Sequence, residues 1–142
     1  MILLDTNVVS EMIRPTPEHL VEQWFAIQAS TDVYICATTE AELRFGVARL
    51  PEGRRRSLLA ADIERMLTVV FSGKILAFDS AAAIEFAAIA SDRRLSGRPI
   101  TIPDAQIAAI ARSHGAALAT RNVSDFEGCG IDVINPWRGP NA

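Results

Sequence analysis

Four carboxylates are the side chains best suited to chemistry in this chain of 142 residues. Asp5 follows a short apolar run, Glu42 and Asp104 each fall in the first turn of a predicted helix, and Asp125 follows a later apolar run. Oxygen ligands with no His or Cys beside them are typical of hard cations such as Mg²⁺ or Mn²⁺. Such an ion can activate a bound water and neutralise charge on a phosphoryl group, so the pattern indicates metal-assisted phosphodiester hydrolysis.

Each acid also has a structural interpretation, which the sequence leaves open. Asp5 can cap the helix that follows it, and Asp125 can accept backbone hydrogen bonds within its own turn. The stretches 39–42 and 101–104 both have the form of a capping box, because a threonine precedes an acid by three positions. The order of all four acids along the chain therefore carries more weight than any one of them.

The elements that must position these acids alternate between strands and helices. Buried strands are predicted at 2–4, 33–37, 74–78, 116–120 and 132–134, and helices begin near residues 18, 39, 54, 80 and 101. This alternation predicts an α/β fold with a doubly wound, mostly parallel sheet of about four to five strands flanked by helices. Because ligands bind beyond the carboxyl ends of parallel strands, distant acids can converge on one crevice.

Composition limits the remaining choices. With 49% hydrophobic and 22% charged residues, the chain is typical of one globular domain, and a disordered or low-complexity protein is excluded. The net charge of −3 argues against a strong overall positive field for nucleic acid, although a local basic groove stays open. We expect a cytoplasmic protein without membrane contact, because the two cysteines fit a reducing compartment and neither a targeting signal nor a membrane span is evident.

Five blocks in order resemble the PIN-domain ribonucleases, specifically the VapC toxins of bacterial toxin–antitoxin pairs. They are residues 3–10, 39–46, 103–109, 120–126 and 134–137, and the first and last are most similar to the FitB-like subgroup. The resemblance implies one PIN-like domain over residues 1–137 with a C-terminal tail at 138–142, and endoribonuclease activity. It also implies that Asp5, Asp104 and Glu42 hold a Mg²⁺ or Mn²⁺ ion, partly through waters.

The same resemblance implies supporting roles for polar residues around these ligands. Thr6 and Asn7 match the polar pair beside the first aspartate, and Thr120 matches the hydroxyl residue before the last motif. Where many relatives carry an aspartate, this chain has Asn122, with Asp125 three residues further on. Either Asp125 supplies the missing charge or the site holds its metal more weakly; we favour Asp125 as a catalytic residue in or beside the ligand set.

Basic residues and partners complete the expectations. Thirteen of the fourteen basic residues are arginine, which binds phosphate and stacks on bases, and we predict RNA contacts for Arg44 and Arg121. Further arginines at 54–56 and at 93, 94 and 98 add basic surroundings or form solvated helix faces. The resemblance implies a homodimer and a small DNA-binding antitoxin that covers the nuclease site in a toxin–antitoxin hetero-oligomer. Trp24 and Phe25 fit either that groove or the core.

Two other functions stay open at this point. Asn122 motivates a catalytically weak PIN module that acts with its antitoxin as an operator-binding regulatory complex. An apolar strand that ends in Asp5 also opens phosphatases similar to haloacid dehalogenases, which use this aspartate as a nucleophile. That alternative is disfavoured, because Asn7 stands where those enzymes carry a second aspartate and the only lysine, Lys74, follows no matching motif.

Overall fold

The computed structural model describes residues 1–140, which form five short strands and six α-helices. The strands are β1 (Ile2–Leu4), β2 (Val33–Cys36), β3 (Ile75–Leu76), β4 (Ala117–Ala119) and β5 (Val133–Ile134). The helices are α1 (Thr6–Ile13), α2 (His19–Ala26), α3 (Ala37–Ala48), α4 (Arg54–Arg65), α5 (Ser80–Leu95) and α6 (Ile102–Ser113). A π-helical turn, Met66–Val70, continues α4, and 3₁₀ turns occupy Val123–Phe126 and Pro136–Arg138.

The five strands form one parallel sheet in the order β3-β2-β1-β4-β5. In the central strand, Leu3 pairs with Tyr34 of β2 on one side and with Leu118 of β4 on the other. The chain builds one half of the sheet outward from β1 to β3 and then returns to the opposite side of β1. The predicted doubly wound α/β class is confirmed, and a topological switch point lies between the carboxyl ends of β1 and β4.

Apolar side chains divide between two core layers, one on each face of the sheet. Leu3 and Leu118 lie in the layer formed with α5 and α6, whereas Leu4 lies in the layer formed with α1 to α4. Trp24 is buried in this second layer and Phe25 packs against it, which favours the core interpretation of both. Successive strand residues point to opposite faces, so a sheet covered on both faces needs strands that are apolar throughout.

The start of α3 differs from its prediction. The helix begins at Ala37 rather than Thr39, because Cys36 ends β2 and already occupies the position that precedes the first helical residue. Thr39 is therefore buried inside the helix, and the predicted capping box at 39–42 is wrong. Glu42 lies in the second turn of α3, not in the first.

Other element boundaries differ less from their predictions. β3 is confined to two residues instead of 74–78, because only Ile75 and Leu76 pair with β2. The last 3₁₀ turn runs across position 137, and the expected tail at 138–142 stays a prediction because residues 141 and 142 lie outside the described part of the chain. Among residues 1–140, no helix combines the length and apolar character that crossing a bilayer requires.

Candidate metal centre

A cavity of about 500 Å³ opens at the switch point, beyond the carboxyl ends of β1 and β4. It brings together acids from three separate parts of the chain. The predicted site residues in its lining are Asp5, Thr6, Asn7, Glu42, Asp104, Arg121 and Asn122. Ser10, Glu11, Arg14 and Trp137 complete the lining. The order of the strands contributes to this convergence, because β2 and β4 flank β1 and the segments that follow these three strands start from adjacent positions. Asp104 comes from the start of α6, the helix that leads into β4.

Asp5 combines a structural role with its place in the cavity. As the N-cap of α1, it accepts a hydrogen bond from the Thr6 N–H through Oδ1 at 2.8 Å. Its Oδ2 accepts a hydrogen bond from the Thr120 hydroxyl at 2.7 Å, and its own N–H donates to the Ala119 carbonyl at 2.9 Å. Each carboxylate oxygen has a further lone pair, so capping does not prevent metal ligation.

The Asp5 carboxyl is held in conditions that disfavour its negative charge. Burial raises its pKa above the ordinary value of 3.8, and the hydrogen bonds from Thr120 and Thr6 oppose that rise. The negative charges of Asp104 and Glu42 raise the pKa further. A cation in the cavity would relieve both the like-charge repulsion and the cost of burial.

The Glu42 carboxylate is held by a residue of α1, although Glu42 itself lies on α3. Its Oε1 accepts a hydrogen bond from the Thr6 hydroxyl at 2.8 Å, and the Thr6 oxygen lies 3.3 Å from the hydroxyl oxygen of buried Thr39. Thr6 therefore touches the first two acids of the site, Asp5 through its backbone and Glu42 through its side chain. This links the start of α1 to α3 across the cavity.

Asp104 is positioned by the first turn of α6. Thr101 is the N-cap, and its Oγ1 accepts from the Asp104 N–H at 3.3 Å, which confirms one half of the predicted capping box. Burial raises the pKa of the Asp104 carboxyl, and a side-chain hydrogen bond with Thr101 opposes the rise. The charges of Asp125 and Glu42 raise the pKa further, whereas the positive charge of Arg93 lowers it.

The predicted supporting residues meet at the hydroxyl of Thr120, which is fully buried. Besides donating to Asp5, the Thr120 oxygen accepts from the Asn122 N–H at 3.1 Å and from the Asn7 side-chain amide at 3.4 Å. The Asn7 carbonyl oxygen in turn accepts from the Arg121 N–H at 3.4 Å. The loop after β4 is thereby attached to the start of α1.

Asp125 lies outside the lining of the cavity. It is exposed in the 3₁₀ turn after β4, and its negative charge raises the pKa of Asp104. Asn122, three residues earlier, lines the cavity. A role for Asp125 in or beside the ligand set stays a prediction.

The donor set fits a hard divalent cation that keeps part of its hydration. Asp5, Glu42 and Asp104 contribute oxygen donors to one cavity. Within residues 1–140, however, no three Asp, Glu, His or Cys side chains are grouped closely enough to hold an ion directly. Because Mg²⁺ loses water reluctantly and usually retains several waters, ligation of some carboxylates through water reconciles the two observations.

The two arginines predicted to contact RNA lie in different surroundings. Arg121 lines the cavity, and its guanidinium lies over the Trp137 ring, 5.2 Å from the ring centroid. Arg44 does not line it and instead forms exposed ion pairs at 2.9 Å with Glu40 and with Glu64. Arg121 therefore has the more direct access to a bound phosphate.

The remaining basic residues also lie in different surroundings. Arg93, expected in a basic surface group, is buried and only 6% exposed, because its guanidinium hydrogen-bonds backbone carbonyls instead of facing solvent. Arg98 forms an exposed ion pair with Glu127 at 3.0 Å. The arginines at 54–56 begin α4, where the first two are exposed. Lys74 lies over the Tyr34 ring and does not line the cavity, so the phosphatase alternative lacks its lysine.

Sequence reasoning missed three cavity residues on or just after α1: Ser10, Glu11 and Arg14, which is the C-cap. Glu11 is 5% exposed, and its carboxylate accepts hydrogen bonds from Arg14 and from the Glu18 N–H. The signal was present, because positions four and seven after Asn7 share its face of a helix. Beyond a possible cap at Asp5, the sequence predicts no helix over 6–13, so it gives no reason to place these positions on one face. Trp137 was recognised in a motif but given no role.

Comparisons with known proteins agree with this fold. The PIN domain family matches residues 2–127. The chain is 41% identical over 137 residues to "VapC ribonuclease Y4jK" of Sinorhizobium fredii, covering 96% of this chain and 98% of that protein. It is 42% identical over 137 residues to "Toxin FitB" of Neisseria gonorrhoeae, covering 96% and 99% of the two chains. The solved structure "Structure of FitAB bound to IR36 DNA fragment" superposes with a TM-score of 0.90 at 41% identity, covering 96% of each chain.

The structure is that of an α/β protein with a doubly wound parallel sheet and acids gathered at its switch point. The similarity to the relatives covers nearly the whole chain. The chain belongs to the PIN domain family. Among its relatives are VapC and FitB toxins, as the five sequence blocks predicted.

Proposed function

We propose that the chain is a metal-dependent endoribonuclease and the toxin of a type II toxin–antitoxin pair. One observation carries the proposal: Asp5, Glu42 and Asp104, far apart in sequence, line a single cavity at the switch point of a PIN-domain sheet. Ribonuclease activity is part of the name of one relative, and another is named a toxin. The reaction proposed is hydrolysis of RNA phosphodiesters.

The residues of the chain supply the geometry of this reaction. A bound Mg²⁺ or Mn²⁺ would activate a water and stabilise negative charge on the phosphate. Asp5 and Asp104 are the proposed ligands, with Glu42 as the third, in part through waters. Hydrogen bonds from Thr120 and Thr6 hold Asp5 and Glu42 before any ion binds, so little reorganisation is needed when it does.

Arg121 is the proposed contact for the RNA chain at the cavity. Its stacking on Trp137 limits the orientations of the guanidinium while leaving donors for phosphate. Arg44 remains a proposed second contact at the periphery. Exposed ion pairs like those with Glu40 and Glu64 are worth little, so RNA can displace them at small cost.

A homodimer and a small DNA-binding antitoxin are the proposed partners. Two similar solved structures are complexes on DNA, FitAB bound to a DNA fragment and VapBC of Salmonella typhimurium bound to DNA. We propose that an equivalent antitoxin covers the cavity of this chain and prevents cleavage. The cytoplasm is the proposed site of action, because both the RNA substrate and the operator DNA are found there.

The decisive experiment compares RNA cleavage by the purified wild type with cleavage by Asp5→Asn. We expect cleavage in Mg²⁺ or Mn²⁺, none in EDTA, and loss of at least about a hundredfold in the variant, because it removes a buried ligand charge. Asp132→Asn is the matched control, since Asp132 is exposed at the amino end of β5, at the opposite edge of the sheet. Cleavage that persists in EDTA or in Asp5→Asn would contradict the proposal.

The regulatory alternative is favoured by one observation, the presence of neutral Asn122 in the cavity lining. Under this alternative the chain binds operator DNA with its antitoxin and turns over RNA poorly. The discriminating comparison is Mn²⁺ affinity and RNA cleavage in the wild type and in Asn122→Asp. Activity that emerges only in Asn122→Asp would support the regulatory function, whereas comparable activity in both would exclude it.

A further inference from the structure

Arg93 is a buried cation with no ion pair among residues 1–140. It lies in the last turn of α5 and is only 6% exposed. Taking a guanidinium out of water is costly unless its donors are satisfied and nearby charges are favourable. The burial of Arg93 therefore requires hydrogen-bond acceptors for its guanidinium, and these acceptors show which segments it connects.

The guanidinium of Arg93 joins three segments of the chain. Its Nε donates to the Arg98 carbonyl at 2.7 Å, in the loop that leads into α6. Its Nη1 donates to the Asp125 carbonyl at 2.8 Å and to the Glu127 carbonyl at 3.1 Å, and lies 3.6 Å from the Cys129 sulfur. One side chain thus connects the end of α5, the entry to α6 and the turn after β4.

Two of these segments lead to acidic residues: Asp104, which lines the candidate metal centre, and Asp125, which lies outside its lining and is only predicted to act there. The loop at Arg98 leads into the first turn of α6, where Asp104 lies, and the turn after β4 carries Asp125. The positive charge of Arg93 acts on Asp104, so it is within electrostatic range of the site. Backbone carbonyls from these two other segments therefore compensate for the burial of the Arg93 guanidinium.

We propose that Arg93 is a positioning residue that sets the location of the turn carrying Asp125 relative to the start of α6, which carries Asp104. This inference rests on the proposed metal-dependent function and assigns to that site a residue that does not touch the cavity. Arginine suits the role because its planar fork of donors reaches several carbonyls at once, which a lysine ammonium on a flexible stem does not reproduce.

A second arginine provides a matched control for the test. Arg112 on α6 donates from Nη1 to the Cys129 carbonyl at 3.4 Å and pairs with Glu85 at 2.7 Å. It therefore holds the far end of the same loop without contacting the Asp125 turn. Loss of Arg112 should loosen the loop near Cys129 while leaving the acidic site in place.

The experiment measures Mn²⁺ affinity by calorimetric titration and thermal stability in the full chain. Outer residues that orient metal ligands typically change metal affinity by about 10- to 100-fold when mutated, and we expect a loss in that range for Arg93→Met. Arg93→Lys keeps the charge but not the fork, so its loss should be smaller. Arg112→Gln should lower the melting temperature and leave Mn²⁺ affinity unchanged.

A double-mutant cycle tests whether Arg93 acts through Asp125. Asp125→Asn should weaken Mn²⁺ binding in the wild-type background and have no further effect once Arg93 is replaced. Additive losses would overturn the claim that the turn transmits the effect. If Arg93→Met does not fold, the same cycle is measured with Arg93→Lys.

The remaining outcomes are also decisive. Wild-type Mn²⁺ affinity in folded Arg93→Lys and Arg93→Met would overturn the inference, and so would equal losses in the Arg93 and Arg112 variants, which would indicate general loosening. Absence of Mn²⁺ binding by the wild type would overturn the proposed function itself, and the inference with it. Failure of the inference alone leaves wild-type binding and cleavage intact.

Discussion

The Thr120 hydroxyl is the central hydrogen-bonding group of the site. It is fully buried, donates to Asp5 and accepts from the Asn122 N–H, so one oxygen connects the end of β1 with the loop after β4. A hydroxyl can do both because it offers one proton and two lone pairs. The sequence identified Thr120 through its motif, but its partners depend on the pairing of β1 with β4.

Replacement of Thr120 by valine should separate hydrogen bonding from packing. Thr120→Val has nearly the same shape and removes the hydrogen bond to a buried carboxylate, so we expect the free energy of unfolding to fall by roughly 1–3 kcal/mol. Mn²⁺ affinity should fall about tenfold, because Asp5 loses the group that orients it. Thr120→Ser is the control, since it keeps the hydroxyl. Wild-type Mn²⁺ affinity in Thr120→Val, measured by calorimetric titration, would contradict this role.

At the scale of elements, the site depends on where helices begin. Asp5 precedes α1, Asp104 lies in the first turn of α6, and Glu42 lies one turn into α3. Thr101, with proline two residues later, marks the start of α6 in the sequence, whereas Asp5 marks the start of α1 only as a possible cap. The start of α3 was misplaced because no local capping residue marks it. Its position follows from where β2 ends in the sheet.

Removal of the α6 cap should affect the site more than removal of an equivalent cap elsewhere. Thr101→Ala removes the acceptor for the Asp104 N–H and should lower the free energy of unfolding by about 0.5–2 kcal/mol. Fraying of the first turn moves Asp104, so Mn²⁺ affinity and RNA cleavage should fall as well. Asp79→Ala removes the cap of α5, where Asp79 accepts from the Ala82 N–H at 3.0 Å. It should cost similar stability and leave Mn²⁺ affinity unchanged; equal losses of affinity would refute the prediction.

At the scale of the whole molecule, the acidic cavity links stability to pH. Folding raises the pKa of Asp5 and Asp104 above 3.8, so in the window immediately above that value the folded protein binds more protons than the unfolded chain. Their contribution to the free energy of unfolding therefore decreases as pH rises through this window and levels off above the folded-state pKa values. A bound cation reverses the balance, because it binds the ionised carboxylates of the folded state.

Thermal unfolding from acidic to neutral pH, with and without Mn²⁺, checks this linkage. Without metal, Asp5→Asn should be stabilised relative to the wild type, increasingly so as pH rises through the window. A Mn²⁺ concentration about one hundred times the dissociation constant should add about 2.7 kcal/mol to the wild type at neutral pH. Asp5→Asn should show little of this gain. The same Mn²⁺ shift in both proteins would place the ion elsewhere.

Sequence alone determined the class of fold, the order of the strands along the chain and the acids that follow them. These properties are local: apolar runs, turn residues and the spacing of a motif are each read within about ten residues. Whether Asp5, Glu42 and Asp104 share a cavity is not local. It depends on the sheet order, which places β2 and β4 on either side of β1, and on the packing that brings the start of α6 to the same cavity.

Only the tertiary structure decided the surroundings of the arginines and of Glu11. Arg93 and Arg98 stand close together in the sequence, yet one is buried among carbonyls and the other pairs with Glu127 at the surface. Arg44 faces Glu64 instead of the cavity, and Glu11 turns into it. An arginine or a glutamate has the same side chain wherever it stands in the sequence. Its burial and partners are set by the distant segments that pack against it, and no spacing within the chain encodes those segments.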